Sequence, residues 1–183
     1  MELTANLIRD EIVERCKQGD AHGYRELYHR YAKAMYNTSL RIVNNKADAE
    51  DVLQEAFSDA FRNLDHFHYR STFGAWLKKI VINKSINLLR SRKPEMEIGE
   101  DESALPVEEE MKDEAAIHYQ VEKVKHAIHQ LPDGYRAVLS LYLLEGYDHE
   151  EIAGILGISH NTVRTQYIRA KQKLLFILKQ GIV

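Results

Sequence analysis

The chain contains one cysteine and three prolines in 183 residues. A lone thiol, Cys16, can form neither an internal disulfide nor a cysteine-based zinc site, and its place on an apolar-looking segment marks it as a small buried residue. Prolines at 94, 106 and 132 leave long stretches without a helix breaker, and no stretch alternates with period two between turn residues. The predicted class is therefore all-α. No apolar run approaches the length of a membrane span, and MELTANLIRDEIVERCKQGD lacks a basic-then-apolar leader pattern, so a cytoplasmic protein without membrane contact is expected. There is no glycine-rich phosphate loop and no nucleophile beside a partner base. His66 and His68 lack further ligands at the spacing of a closed metal site. The expectation is no enzyme, no metal and no cofactor.

A further absence is local. Residues 148–174 read DHEEIAGILGISHNTVRTQYIRAKQKL, and after Glu151 no Asp or Glu follows to the C-terminus. Residues 66–94 are also free of acid. The net charge of −3 hides this segregation, because residues 95–114 hold ten acids and one lysine. That segment carries −9, so the remainder carries +6. Seven Lys or Arg fall in 66–94 and five in 152–183. Positive segments in an otherwise acidic chain are what a phosphate-binding surface needs, since each neutralised phosphate releases a counterion.

Segment 95–114 has few large apolar residues, so it cannot bury enough surface to offset the entropy of ordering. It is predicted to be an extended linker. Two small helical domains, 8–93 and 115–180, are then joined by an acidic linker, 94–114.

In the second domain Asp148 and Glu151 fit a capping box, and Ile152, Ala153, Ile155 and Leu156 give a short helix its apolar side. Gly157 supplies a left-handed turn and Ser159 a new cap. Val163, Tyr167, Ala170 and Leu174 then recur at helical spacing toward the core. A small residue, a turn glycine and an inward valine at this spacing predict a helix-turn-helix. A carboxylate on its outer face would repel phosphate.

In the first domain Val52, Leu53, Ala56, Phe57, Ala60, Phe61 and Leu64 form an apolar stripe, with Asp51, Gln54, Glu55 and Ser58 on the opposite side. Phe67, Tyr69, Phe73 and Trp76 precede a helix bearing Lys78, Lys79, Lys84, Arg90, Arg92 and Lys93. Aromatic faces among cations suit unpaired bases, although Trp76 and Ile80 read better as core.

DVLQEAF at 51–57, F-x-x-W-L-x-x-I-x-x-N from Phe73 to Asn83, and TVR at 162–164 followed by RAK at 169–171 resemble a bacterial RNA polymerase sigma factor of the extracytoplasmic-function class. The resemblance runs from about residue 10 to residue 178. It implies that Asp51, Gln54 and Glu55 meet the β′ clamp of core RNA polymerase, with the β subunit a second contact. Phe67 and Asn83 resemble the lining of a pocket for a flipped base of the promoter −10 element, and 66–72 the loop that reads it. Tyr69, Arg70 and Lys79 belong to the same surface. Asn161, Arg164, Thr165, Ile168, Arg169 and Lys171 resemble the recognition-helix face for the −35 element. Promoter DNA and an anti-sigma factor are the further partners implied. Tyr69 stands where a glycine is frequent and Asn87 where Asp is common, so the loop's shape stays open. The alternative reading is a stand-alone helix-turn-helix regulator that binds duplex DNA without polymerase.

Overall fold

The computed structural model describes residues 10–92 and 117–180, and among these every regular element is helical. In chain order they are α1 (Glu11–Lys17), α2 (Ala21–Val43), α3 (Lys46–Arg62), a 3-10 turn (Leu64–His66), α4 (Phe73–Arg92), α5 (Ile117–His129), α6 (Asp133–Leu139), a π-helical turn (Ser140–Leu144), α7 (His149–Leu156) and α8 (His160–Lys179). The chain divides into two compact units, Met1–Leu88 and Leu89–Val183, with the division inside α4. The acidic segment expected to be a linker lies outside the described residues.

Local chemistry sets the helix ends of the first unit. The Asp10 side chain accepts a hydrogen bond from Ile12 N at 3.0 Å, that of Asp20 from His22 N at 2.9 Å, and that of Asn45 from Asp48 N at 3.1 Å. α2 ends where Asn44 turns left-handed (φ 54°), its N–H bonding Leu40 O at 2.9 Å. Ile12, Val13 and Cys16 of α1 are buried, so Cys16 occupies the place its surroundings in the sequence imply. Its sulfur abuts Gly23, where a Cβ would come within 2.9 Å of Sγ, so α1 and α2 approach over a bare backbone.

The apolar stripe of α3 is buried at Val52, Leu53, Ala56, Phe57 and Ala60, continues to Leu64, and leaves Phe61 at the core edge. Leu27, Met35, Phe73, Leu77 and Val81 complete that core. Burying each of the large side chains contributes roughly 1.5–3 kcal/mol. Trp76 and Ile80, expected in the core, are partly buried against it.

The second unit closes around Ala127, Ile128, Leu131, Leu139, Ala170, Leu174 and Ile177. Among the described residues of this unit a charge is buried: Arg136 is 2% exposed, donates to Leu131 O at 2.8 Å and pairs with Asp133 at 2.7 Å. After α6 the chain widens into the π-helical turn, with Glu145 N bonding Ser140 O at 3.0 Å.

Candidate polymerase and nucleic-acid surfaces

The helix-turn-helix is built as its sequence implies. The Asp148 carboxylate accepts from Glu150 N and Glu151 N, each at 2.8 Å, while Glu151 reaches back to Asp148 N at 3.0 Å. α7 stops at Gly157, which is left-handed at φ 62°. The Ser159 hydroxyl accepts from Thr162 N at 3.1 Å and starts α8. Ile152, Leu156, Val163, Ala170 and Leu174 are buried, and Tyr167 is half-buried. Gln166, whose burial the spacing did not suggest, is also inside.

Asn161, Arg164, Thr165, Ile168 and Lys171 are exposed and Arg169 is half-buried. At ~100° per residue these six span roughly half the helix circumference. Thr165 Oγ1 donates to Asn161 O at 3.0 Å, and the Lys171 ammonium stands 5.7 Å from the Tyr167 ring centre. This outer face carries cations, short polar groups and one aliphatic side chain that is 48% exposed. Such a set can hold phosphates and read base edges in a major groove.

The second unit also holds an aromatic cluster the sequence did not reveal. Tyr142 stacks on His149 at 4.9 Å, and Tyr167 touches both, at 4.6 Å and 5.1 Å. The three rings come from the π-helical turn, the first turn of α7 and the middle of α8. They join elements whose sequence separation conceals the contact.

On the first unit, Asp51, Gln54, Glu55 and Ser58 are exposed on α3. Glu55 has a neighbour on the basic helix α4: Lys84 Nζ lies 3.3 Å from its carboxylate and 2.6 Å from that of Asp59. The hydrogen bond from Lys84 holds the Asp59 carboxyl below its ordinary range, and the same bond raises the Lys84 ammonium. Asn83 and Lys79 are exposed on α4, and Arg70 is exposed in the preceding loop.

The loop aromatics are arranged differently from the expected stacking platform. Phe67 and Phe73 are only 3% and 2% exposed. The Phe67 ring packs on Phe73 at 5.9 Å, Trp76 at 5.2 Å and Tyr69 at 4.7 Å. Its faces are occupied by protein, so no base can stack on Phe67 with the loop as it stands. Apolar burial overrides the reading drawn from aromatics among cations. Tyr69 is half-buried at φ 57°, the left-handed region a glycine adopts freely. The departure from glycine therefore leaves a glycine-like backbone and adds a side chain. That side chain donates its hydroxyl hydrogen to Glu14. Lys17 Nζ donates to Phe67 O at 2.9 Å. Neither Glu14 nor Lys17 stood out in the sequence.

No group of three or more His, Cys, Asp or Glu side chains that could hold a metal occurs among the described residues. No helix there is long and apolar enough to cross a membrane.

Each unit contains a segment that matches one transcription family. Residues 27–95 match Sigma-70 region 2, and residues 122–174 match Sigma-70, region 4. The chain is 33% identical to the RNA polymerase sigma-H factor of Pseudomonas aeruginosa over 175 residues, 90% of each chain. It is 30% identical to the ECF RNA polymerase sigma-E factor of Haemophilus influenzae over 182 residues, covering 94% of this chain and 96% of that one. Among solved structures, CnrH in complex with the cytosolic domain of CnrY matches with a TM-score of 0.55 at 25% identity, over 92% of this chain and 96% of that one. The sigma factor RpoE of Bartonella quintana, in complex with the anti-sigma factor NepR, shares the fold with a TM-score of 0.56 at 21% identity, over 85% and 96%. The chain belongs to the sigma-70 family and is a sigma factor of the extracytoplasmic-function type. It recognises promoters for transcription initiation, with core RNA polymerase and promoter DNA as its partners.

Proposed function

We propose that α3 docks on the polymerase clamp through Asp51, Gln54 and Glu55, that the 66–72 loop with Arg70, Lys79 and Asn83 reads the −10 element, and that the outer face of α8 reads the −35 element. The functional division that goes with this is 8–93 for polymerase and −10 contacts, 94–114 for the linker and 115–180 for the −35 contact. The observation that carries the reading is the charge layout: carboxylates are exposed on α3, whereas α8 is a helix-turn-helix second helix without one carboxylate. Such a layout suits one protein partner and one polyanion on separate faces.

Phe67 enters this reading as the floor of the loop rather than as the stacking surface. A flipped base would be held from above by Asn83 and the outward side chains of the loop, and extrusion costs a few kcal/mol that hydrogen bonds to the base edge can offset. Catalysis belongs to the polymerase, and the site of action is the cytoplasm where polymerase works. An anti-sigma factor is a proposed regulator, supported by the two solved relatives named above, each bound to another protein. The testing experiment is run-off transcription with purified core polymerase on fragments of the source genome. Discrete transcripts that require the protein identify its promoters. Substitution of Arg70 or Asn83 should then alter preference in the −10 region, and Arg164→Ala preference in the −35 region.

A further inference from the structure

We propose that Glu14 and Lys17, on α1, are positioning residues that set −10 specificity by clamping the reading loop around Tyr69. The inference rests on the reading of 66–72 as the −10 loop. Its starting point is the backbone of Tyr69. A bulky residue at φ 57° is uncommon and persists only where its surroundings over-determine it.

Two side chains one turn apart on α1 supply that determination. Tyr69 donates its hydroxyl hydrogen to Glu14, and the Lys17 ammonium stands 4.7 Å from the Tyr69 ring centre. The same ammonium donates to Phe67 O at 2.9 Å and lies 5.9 Å from the Phe67 ring centre. One cation therefore holds a backbone carbonyl and a ring face two residues apart. These partners are 50 and 55 positions from α1 in the chain, so the clamp is a tertiary device.

The anchor is itself fixed. α1 buries Ile12, Val13 and Cys16, the Tyr24 hydroxyl donates to Cys16 O at 2.8 Å, and Arg30 pairs with Asp10 at 3.1 Å. The consequence for the loop is a sorting of side chains. Phe67 is buried and Tyr69 half-buried, whereas His66, His68, Arg70 and Thr72 are exposed. Release of Tyr69 to an ordinary extended conformation would rotate the residues that follow it and move Arg70. The clamp thus orients the side chains that face DNA without touching DNA itself.

The test uses full-length protein with core polymerase and a promoter found by run-off transcription, its −10 positions randomised, with transcripts sequenced against template. Lys17→Met keeps the aliphatic stem and removes the ammonium, and Tyr69→Phe removes one hydroxyl. Each should lower preference for the favoured −10 sequence over its single-base variants by about tenfold, because small displacements of aligned groups are amplified in selectivity. Lys17→Arg, which keeps a donor, should restore most of it. Core-polymerase affinity and −35 preference should stay unchanged, which a general loss of stability would not permit. An unaltered −10 preference in Lys17→Met, or in Tyr69→Phe should the first variant not fold, overturns the proposal. Arg70→Ala and Asn83→Ala separate the two levels. If they shift the −10 preference while the clamp variants do not, the clamp alone is wrong; if none shifts it, the −10 assignment of the loop falls as well.

Discussion

Lys84 Nζ lies 3.3 Å from the carboxylate of Glu55, so a cation of the basic helix α4 is paired with an acid on the exposed face of α3. The pair connects the side of the first unit proposed for polymerase with the side proposed for DNA. Lys84 also keeps its 2.6 Å bond to Asp59. Losing Glu55 therefore leaves the lysine partnered.

That redundancy shapes the first prediction. Asp51→Ala combined with Glu55→Ala should weaken binding to core polymerase and change stability by under about 0.5 kcal/mol, since both side chains are exposed. Competition for fluorescently labelled core polymerase, with circular dichroism as the fold check, measures both. Unchanged affinity in the folded double variant would remove α3 from the clamp contact.

The two DNA surfaces should separate by substitution. Arg164→Ala on α8 should cost about 1–3 kcal/mol at the −35 element if the arginine contacts a base edge there, and Asn83→Ala should impair opening at the −10 element. Permanganate footprinting of the open complex distinguishes them. Phe67→Ala is a poor probe of melting, because truncating so buried a ring should cost about 3–5 kcal/mol of stability. Normal opening by Asn83→Ala would move the base pocket elsewhere.

Cys16 gives a prediction about pH. Burial pushes its thiol up to about 11, so the folded protein favours the protonated form. The unfolded chain ionises near the ordinary thiol value of about 8.5. Between these values the unfolded state binds fewer protons, so this thiol's contribution to stability is complete below about pH 8 and declines as pH rises toward 11. Native protein at pH 8 should react with a thiol reagent far more slowly than protein unfolded in guanidinium. Equal rates would mean that the α1–α2 contact at Gly23 opens readily.

Arg136 tests the second unit. Asp133→Ala removes the carboxylate 2.7 Å from a guanidinium that is 2% exposed and keeps its bond to the Leu131 carbonyl. The expected loss is about 2 kcal/mol in urea unfolding. A neutral result would show that the Asp133 carboxylate adds nothing to the other contacts of this guanidinium.

What the sequence disclosed and what it concealed differ by range. Asp148, Glu151, Gly157 and Ser159 act on neighbours within a few residues, so their caps and turn could be read from type and spacing. The α3 stripe was legible for the same reason, its period being that of one helix. The burial of Phe67 was not legible, because an aromatic between cations looks the same whether it faces a base or a core. Lys17 to Phe67, Tyr142 to Tyr167 and Lys84 to Glu55 are contacts across elements, and no local period announces them. The buried Arg136 and Gln166 were hidden because charge and amide ordinarily mark surface.

The central claim is that this chain directs polymerase to promoters through two DNA-reading surfaces and one polymerase-reading surface. Run-off transcription with purified core polymerase on fragments of the source genome tests it most directly. The account predicts discrete transcripts that appear only when the protein is added and that fail with the Asp51→Ala, Glu55→Ala variant. Sequence-specific binding of the free protein to duplex DNA, with no transcript from any bound fragment when core polymerase is supplied, would contradict it.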